Sequence, residues 1–312
     1  MFEAGSVDSE ARAGLEQAAG RPGAAGVGFD RLITIGCGGP AAFFIEADST
    51  AHLAAILAAS SQHDLPWFLL GRGSNLLVAD DGWPGVVIRL TGDLKQCRRD
   101  GDRLDCGAGV SLPAAAAAAQ AAALSGLEPL AGIPGTIGGA VAMNAGAFGT
   151  TIGDLVSRVV ICFPGETAVL DQDKLEFGYR SARLPVGGVV ARAVLTLKPA
   201  QPDDIKNTMR EFSGQRTASQ PAGGKTCGSV FKNPPVGKSA GFLLDRAGCK
   251  GVRSGGASVS STHANFIVND GGASAADVLD LMNNCRRRVY DHYGIVLEPE
   301  VGLLGINLDP LP

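Results

Sequence analysis

Apolar and polar positions along the 312-residue chain change register often, and short β-like runs alternate with helical stretches. Ser9–Ala19 carries a weak helical period that Arg21-Pro22-Gly23 breaks, so residues 1–28 are expected to form a poorly ordered extension. Ordered structure is expected to begin near Leu32. Leu32–Ile35 and Ala42–Glu46 read as strands on either side of a glycine turn. Asp48 and Ser49 can cap a helix running to about Gln62. Trp67–Leu70 and Val86–Leu90 then read as strands around a glycine-rich loop.

From Gly92 onward the pattern changes. Cys97–Arg99 and Arg103–Cys106 flank Asp100-Gly101-Asp102, a hairpin signal. Ser111 caps an alanine-rich helix with Pro113 in its first turn, closed by Gly126. A glycine-dense loop covers Ala131–Gly149, and β-rich segments follow at Val156–Phe163, Ala168–Leu170 and Val189–Lys198. Beyond Pro202 the pattern predicts a helix to about Ser213, a strand over Ser229–Lys232 and a helix over Ala240–Ala247. It then predicts a strand over Asn265–Val268, a Ser274-capped helix to about His292 and a closing strand over Val296–Leu304. The expected organisation is an extension (1–28), two units (29–91 and 92–201) and a C-terminal α+β unit (202–312).

Composition narrows the function. Acids outnumber bases 31 to 27 and no basic tract occurs, which argues against a nucleic-acid-coating role. No run of about 18 apolar residues is present, so no membrane span is expected. The first residues carry Glu3, Asp8 and Glu10 in place of an export signal. Seven widely spaced cysteines without a CxxC pair make a disulfide framework and a zinc site improbable. The expectation is a cytoplasmic monomer with reduced, mostly buried thiols and no metal.

Three glycine-rich loops are candidates for chemistry. Gly36-Cys37-Gly38-Gly39-Pro40-Ala41 fits the GxGxxA fingerprint, but an extended segment follows where a nucleotide-binding helix should start, so it reads as a tight turn. Gly71-Arg72-Gly73-Ser74-Asn75-Leu76 follows a strand. Its backbone N–H groups can form a nest for diphosphate oxygens, or the segment is a plain hairpin loop. Ile133-Pro134-Gly135-Thr136-Ile137-Gly138-Gly139, continuing to Asn144-Ala145-Gly146, has more glycine than a turn needs. Glycine is required where backbone approaches a flat ligand, although a purely structural loop is the alternative.

Taken together, these two loops resemble the flavin loops of the UDP-N-acetylenolpyruvoylglucosamine reductase family. The resemblance continues through Phe177-Gly178-Tyr179-Arg180, Gly228-Ser229-Val230-Phe231-Lys232-Asn233-Pro234, Lys250–Ser260, His263–Asn269 and Leu297-Glu298-Pro299-Glu300-Val301. It covers roughly Leu32 to Gly305 in the family's order, and the short spacing from Arg180 to Ser229 matches the subtype without an extra tyrosine loop. The resemblance implies an α+β FAD-binding fold of the vanillyl-alcohol-oxidase type in two subdomains plus a substrate domain. It also implies noncovalent FAD, with NADPH as co-substrate and a UDP-sugar enolpyruvate as substrate. Ala182, Ser219 and Gly302 depart from the family's pattern.

Within that resemblance the chemistry assigns roles. Hydride arriving at the β-carbon of the enolpyruvyl group pushes charge onto its carboxylate, which calls for a cation, a hydrogen-bond donor and a proton for the α-carbon. Arg180 is the candidate cation. Glu300, kept protonated by the apolar surroundings of Leu297 and Val301, is the candidate donor. Ser229, assisted by the charge of Lys232, is the candidate proton source. Tyr179, Lys232 and Asn233 are candidate UDP-sugar contacts. His263 reads as structural, and Arg286-Arg287-Arg288 as a solvated helix face. None of the four histidines falls between Gly71 and Gly149, which favours noncovalent flavin over the tethered flavin of oxidases on the same scaffold. A silent binding protein in cell-wall assembly is the other alternative.

Overall fold

The computed structural model describes residues 7–221 and 223–311. Their principal strands form three sheets. The first runs in the order Ala24–Gly28, Pro40–Ala47, Trp83–Leu90, Trp67–Leu70. Its last three strands are parallel, and Ala24–Gly28 joins antiparallel. Phe43, Ile45, Val86 and Ile88 belong to one hydrophobic cluster, while Ala41, Leu70 and Val87 belong to a second. Both faces of this sheet are therefore covered, and Val86–Leu90 accordingly reads as an unbroken apolar run rather than an alternation.

The second sheet is antiparallel, in the order Glu166–Asp171, Val156–Phe163, Val189–Thr196, Arg103–Gly107, Cys97–Asp100. Its core face packs into the first cluster together with the helices Thr50–Gln62, Leu112–Ala121 and Ile137–Ala142. The third sheet joins Lys225–Ser229, Phe266–Asn269, Ala257–Val259 and Arg253–Ser254 and is backed by the helix Ala275–Tyr293. Helix starts follow the capping chemistry of the sequence. Ser49 accepts from the His52 N–H, Ser111 from Ala114, and Ser274 forms a reciprocal box with Asp277.

The structure corrects several expectations. Residues 1–6 lie outside the described residues, but the rest of the expected extension is built in. Ser9–Ala19 is a helix, Ala24–Gly28 is a strand, and Val7, Ala11, Leu15 and Ala19 are buried in the first cluster. The small residues that weaken the helical signal are what let this helix pack closely. Leu32–Ile35 is not a strand. A single 3-10 turn at Phe29–Arg31 leads into it, and Leu32, Ile33 and Ile35 plug the second cluster as side chains of a loop. The helix from Pro202 extends to Ser219; Ile205 is its one buried residue, which left little apolar period to read. The expected strand at Ser229–Lys232 lies earlier, at Lys225–Ser229. Of Val296–Leu304 only Gly302–Leu304 pairs in a ladder, because Pro299 has no N–H to donate and forms a single bridge with Phe231. Arg286 is buried, donating to the Leu297 and Asp309 carbonyls, and so is not part of a solvated face.

All seven cysteines are free thiols. Among the described residues no helix is long and apolar enough to cross a membrane.

Candidate active site

The two candidate loops meet. A methyl group placed on Gly71 would lie 2.8 Å from Thr136 Oγ1, so the loops touch where a side chain would part them. They border a cleft of about 680 Å³ lined by Gly71, Arg72, Thr136, Gly138, Gly139 and the Ala108–Ser111 segment. Gly73, at φ +62°, is pressed against Ile33; a Cβ there would stand 2.5 Å from the Ile33 methyl, so the loop conformation requires glycine twice over. Thr136 caps the short helix Ile137–Ala142 by accepting from the Gly139 N–H.

This cleft suits a flat dinucleotide. The N–H groups of Arg72, Gly73, Ser74 and Asn75 have no acceptor among the described residues, and of this loop Gly71 and Arg72 line the cleft, a donor set of the kind a diphosphate needs. Its walls include Ala108, Gly109, Gly138, Gly139 and Ala142, whose small side chains leave room for a ring. Arg31, Arg72, Arg89 and Lys95 also line it. Sequence reasoning missed Arg31, Arg89, Lys95 and Ala108–Ser111, which come from separate elements. Gly107 and Gly109 flanking Ala108 were the available signal.

Several residues of the two loops make structural contacts as well or instead. Gly138 packs on Ala108, where a Cβ would come to 2.8 Å of its methyl, and donates its N–H to the Ala108 carbonyl. Gly135 borders Ile133 and Leu112, and Pro134 is exposed. Leu76 is buried and paired in register with Gly302. Ala145 packs against the core, and Gly146 begins a two-residue ladder with Thr151. Asn144 spends both ends of its amide on backbone, accepting from Gly153 and donating to the Gly178 carbonyl.

A second group of residues gathers around Glu300. Arg180 Nε donates to Glu300 Oε1 at 2.7 Å, with the two side chains only 25% and 15% exposed. Burial pushes the Glu300 carboxyl above its ordinary value, and the charge of Arg180, its hydrogen bond and the charge of Lys232 pull against that. Backbone bonds fix the frame: Glu300 N–H donates to the Val230 carbonyl and Lys232 N–H to the Glu298 carbonyl. The Glu300 segment thus runs beside the residues that follow Ser229. Asn75 of the first loop donates to the Glu300 carbonyl at 3.0 Å, and Gly228 lies against the Ser74 carbonyl. The glycine loop and the Ser229 strand are therefore neighbours.

Ser229 ends its strand opposite Phe266, half-buried, and its hydroxyl makes no hydrogen bond among the described residues. Lys232 Nζ stands 3.4 Å from Glu298 Oε2. Asn233 donates its N–H to the Tyr179 hydroxyl, and its side-chain oxygen accepts from the Ala240 N–H at the start of the helix Ala240–Arg246. The Arg180 guanidinium lies 5.4 Å from the centre of the exposed Tyr179 ring. Arg180 itself holds φ +52°, a left-handed conformation that is costly without glycine and is retained here at the centre of the site. His263 accepts from the Asn265 N–H, and burial lowers its pKa, which is consistent with a structural ring.

Comparison with known proteins identifies the family. Residues 41–166 match the model of an FAD binding domain. Residues 220–304 match the UDP-N-acetylenolpyruvoylglucosamine reductase C-terminal domain. The chain is 41% identical over 279 residues to UDP-N-acetylenolpyruvoylglucosamine reductase 2 of Symbiobacterium thermophilum, covering 89% of this chain and 90% of that one. It is 44% identical over 268 residues to the reductase of an Anaeromyxobacter species, covering 86% and 84%. The crystal structure of the reductase from Thermus caldophilus superposes with TM-score 0.79 at 41% identity, over 89% of this chain and 97% of that one. Berberine bridge enzyme, at 15% identity and TM-score 0.50 over 63% of this chain and 44% of that one, shares the fold. With two relatives above 40% identity along most of its length, a matching reductase C-terminal domain and loops shaped for a dinucleotide, the chain belongs to the UDP-N-acetylenolpyruvoylglucosamine reductase family.

Proposed function

We propose that this chain reduces UDP-N-acetylglucosamine enolpyruvate to UDP-N-acetylmuramate, with Arg180, Glu300 and Ser229 carrying the proton and charge chemistry. The observation that carries the reading is the Arg180–Glu300 pair, held partly out of water beside the Ser229 strand and tied by Asn75 to the glycine loop. When bound, FAD supplies the hydride that reaches the β-carbon of the enolpyruvyl group, drawn in turn from NADPH. The Arg72–Asn75 N–H groups and the cleft cations would hold its diphosphate, and the small residues around Gly139 would face its ring.

The remaining work belongs to the protein. Arg180 presents a fixed guanidinium to the substrate carboxylate, onto which the electron pair of the double bond moves as an enolate. A carboxylate arriving there shares the guanidinium with Glu300. The shared cation stabilises ionised Glu300 less, so proton uptake by a carboxyl already raised by burial is favoured. Protonated Glu300 then donates a hydrogen bond to the enolate oxygen. Ser229 delivers its proton to the α-carbon, and the nearby Lys232 charge makes the resulting alkoxide less costly until solvent reprotonates it. Tyr179, Lys232 and Asn233 lie together at the exposed edge, suited to the sugar nucleotide. The reading divides the chain into two flavin-holding units, 29–91 and 92–201, with the helix Ser9–Ala19 and the strand Ala24–Gly28 built onto the first, and a substrate unit, 202–312. It carries with it a cytoplasmic monomer.

Stopped-flow flavin absorbance tests the assignment by separating the half-reactions. Ser229→Ala should leave reduction by NADPH nearly unchanged and slow reoxidation by substrate about 10²–10⁴-fold, the usual contribution of a positioned acid. Slower reduction with normal reoxidation would make Ser229 a nicotinamide contact instead.

A further inference from the structure

Asn144 sits in the loop that sequence assigns to the flavin, yet its side chain serves a different neighbour. It is 7% exposed, and its carboxamide has one consistent orientation: Oδ1 accepts from the Gly153 N–H at 3.0 Å and Nδ2 donates to the Gly178 carbonyl at 2.9 Å. Reversing the amide would set donor against donor and acceptor against acceptor. Gly178 is two residues from Arg180 in the turn between the short paired segments Phe177–Gly178 and Ser181–Ala182. Arg180 holds a positive φ of +52°, which such a residue keeps only when its surroundings enforce it, whereas Asn144 at +41° is of a type that adopts this region readily.

Packing supplies part of that enforcement, with the Phe177 ring set against Gly153. The space beside the turn is a cavity of about 390 Å³ bordered by Asn144, Gly153, Gln172, Phe177 and Arg180. A hydrogen-bonded brace runs along its lining. Gln172 Nε2 donates to the Gly153 carbonyl at 2.7 Å, Gly153 donates to Asn144, and Asn144 donates to Gly178. Even a methyl group on Gly153 would press within 2.8 Å of Asn144 Oδ1.

We propose that Asn144 is a positioning residue, whose amide holds the Gly178 carbonyl and thereby the turn that presents the Arg180 guanidinium to Glu300 and to the substrate carboxylate. The proposal rests on the role given to Arg180 above. Asn144 acts through Arg180 and is not a flavin ligand.

Asn144→Asp tests it, because the change keeps the volume and the acceptor for Gly153 but turns an oxygen toward the Gly178 carbonyl. Reoxidation of reduced protein by the enolpyruvyl substrate should slow about 10–100-fold, the cost of misplacing a group by an ångström or less. Flavin content per chain and the rate of reduction by NADPH should stay within about twofold of the unaltered protein, since neither needs the Arg180 geometry. In an Arg180→Lys background, Asn144→Asp should cost no more than about threefold further, because residues acting through one another are not additive. If Arg180→Lys left reoxidation fast, the role of Arg180 would fall and that of Asn144 with it. If Arg180→Lys slowed reoxidation while Asn144→Asp had no effect or an additive one, the positioning role alone would fall. Loss of flavin from Asn144→Asp, or equal slowing of both half-reactions, would also overturn it in favour of a flavin-holding or purely structural residue. Should Asn144→Asp fail to fold, Gln172→Ala reads the same brace from its exposed end: slowed reoxidation with normal reduction supports the proposal, and no change overturns it.

Discussion

At the scale of single residues, Glu300 is held between opposed forces. Burial favours its neutral form, and Arg180 at 2.7 Å favours the charged one, yet the balance lies above the ordinary carboxyl value of 4.5. The folded protein therefore binds this proton more tightly than the unfolded chain does. Its contribution to stability is present below 4.5 and is lost as pH rises through the folded value. The same titration should govern chemistry. Reoxidation by substrate should fall as pH rises through a group above 4.5, because only the protonated carboxyl donates. Glu300→Gln should flatten that limb while leaving reduction by NADPH in place. A pH profile of each half-reaction checks this, and an unchanged limb in the variant would assign the titration elsewhere. Ser229, Arg180 and Glu300 were named from the motifs around them, and the structure brings Arg180 against Glu300 and the Glu300 segment beside the residues that follow Ser229. The use of Asn144 was not legible in the sequence, since its partners Gly153 and Gly178 lie 9 and 34 positions away and nothing local marks them.

At the scale of elements, capping residues wrote themselves plainly. Ser49, Ser111 and Ser274 each start the helix that the pattern predicts after them. The N-terminal helix was legible at Ser9–Ala19, but its place in the core was not. Its apolar residues are few and mostly alanine, and short isolated helices of that kind gain little on their own. Packing against the helix Thr50–Gln62 and the strand Pro40–Ala47 is what makes it part of the core. Leu15 is the test of that account, being fully buried in the first cluster. Leu15→Ala should destabilise the protein by about 2–5 kcal/mol through lost burial and the cavity left behind. Urea unfolding measures it, and a change below about 1 kcal/mol, the level typical of surface sites, would return this helix to the status of an appendage. The Leu32–Ile35 run shows the opposite limit: a short, largely apolar tetrapeptide cannot by itself distinguish a strand from a buried loop.

At the scale of the whole molecule, the proposed chemistry divides between two bodies of structure. The glycine loops belong to the first sheet and the segments around Ile137, while Ser229, Lys232 and Glu300 belong to the C-terminal portion. Function requires that these keep one relative position. Besides the Asn75 and Arg180 bonds to Glu300, three further contacts help to fix it. Gly302–Leu304 pairs in parallel with Leu76–Val78, and Asn269 donates to the Ile35 and Gly36 carbonyls. Asp80, just past the glycine loop, accepts from the Ala275 and Ala276 N–H groups at 2.7 and 3.0 Å. Those N–H groups are the unpaired first donors of the helix Ala275–Tyr293, so a carboxylate there satisfies them and complements the helix dipole. This dock was invisible in the sequence, because Ser274 already supplied a sufficient cap and nothing called for a second one 195 positions upstream. Asp80→Ala should lower the unfolding midpoint by roughly 2–4 °C, from about 1 kcal/mol for one cap in a large domain. Flavin itself should raise the midpoint of either protein, because a ligand that binds only the folded state stabilises it by mass action. If Asp80 docks the two bodies without forming part of the flavin site, its loss should subtract the same number of degrees from flavin-free and flavin-loaded protein. Thermal unfolding of all four samples decides it: a decrement confined to the loaded protein would place Asp80 in cofactor binding, and none in either would remove it from the dock.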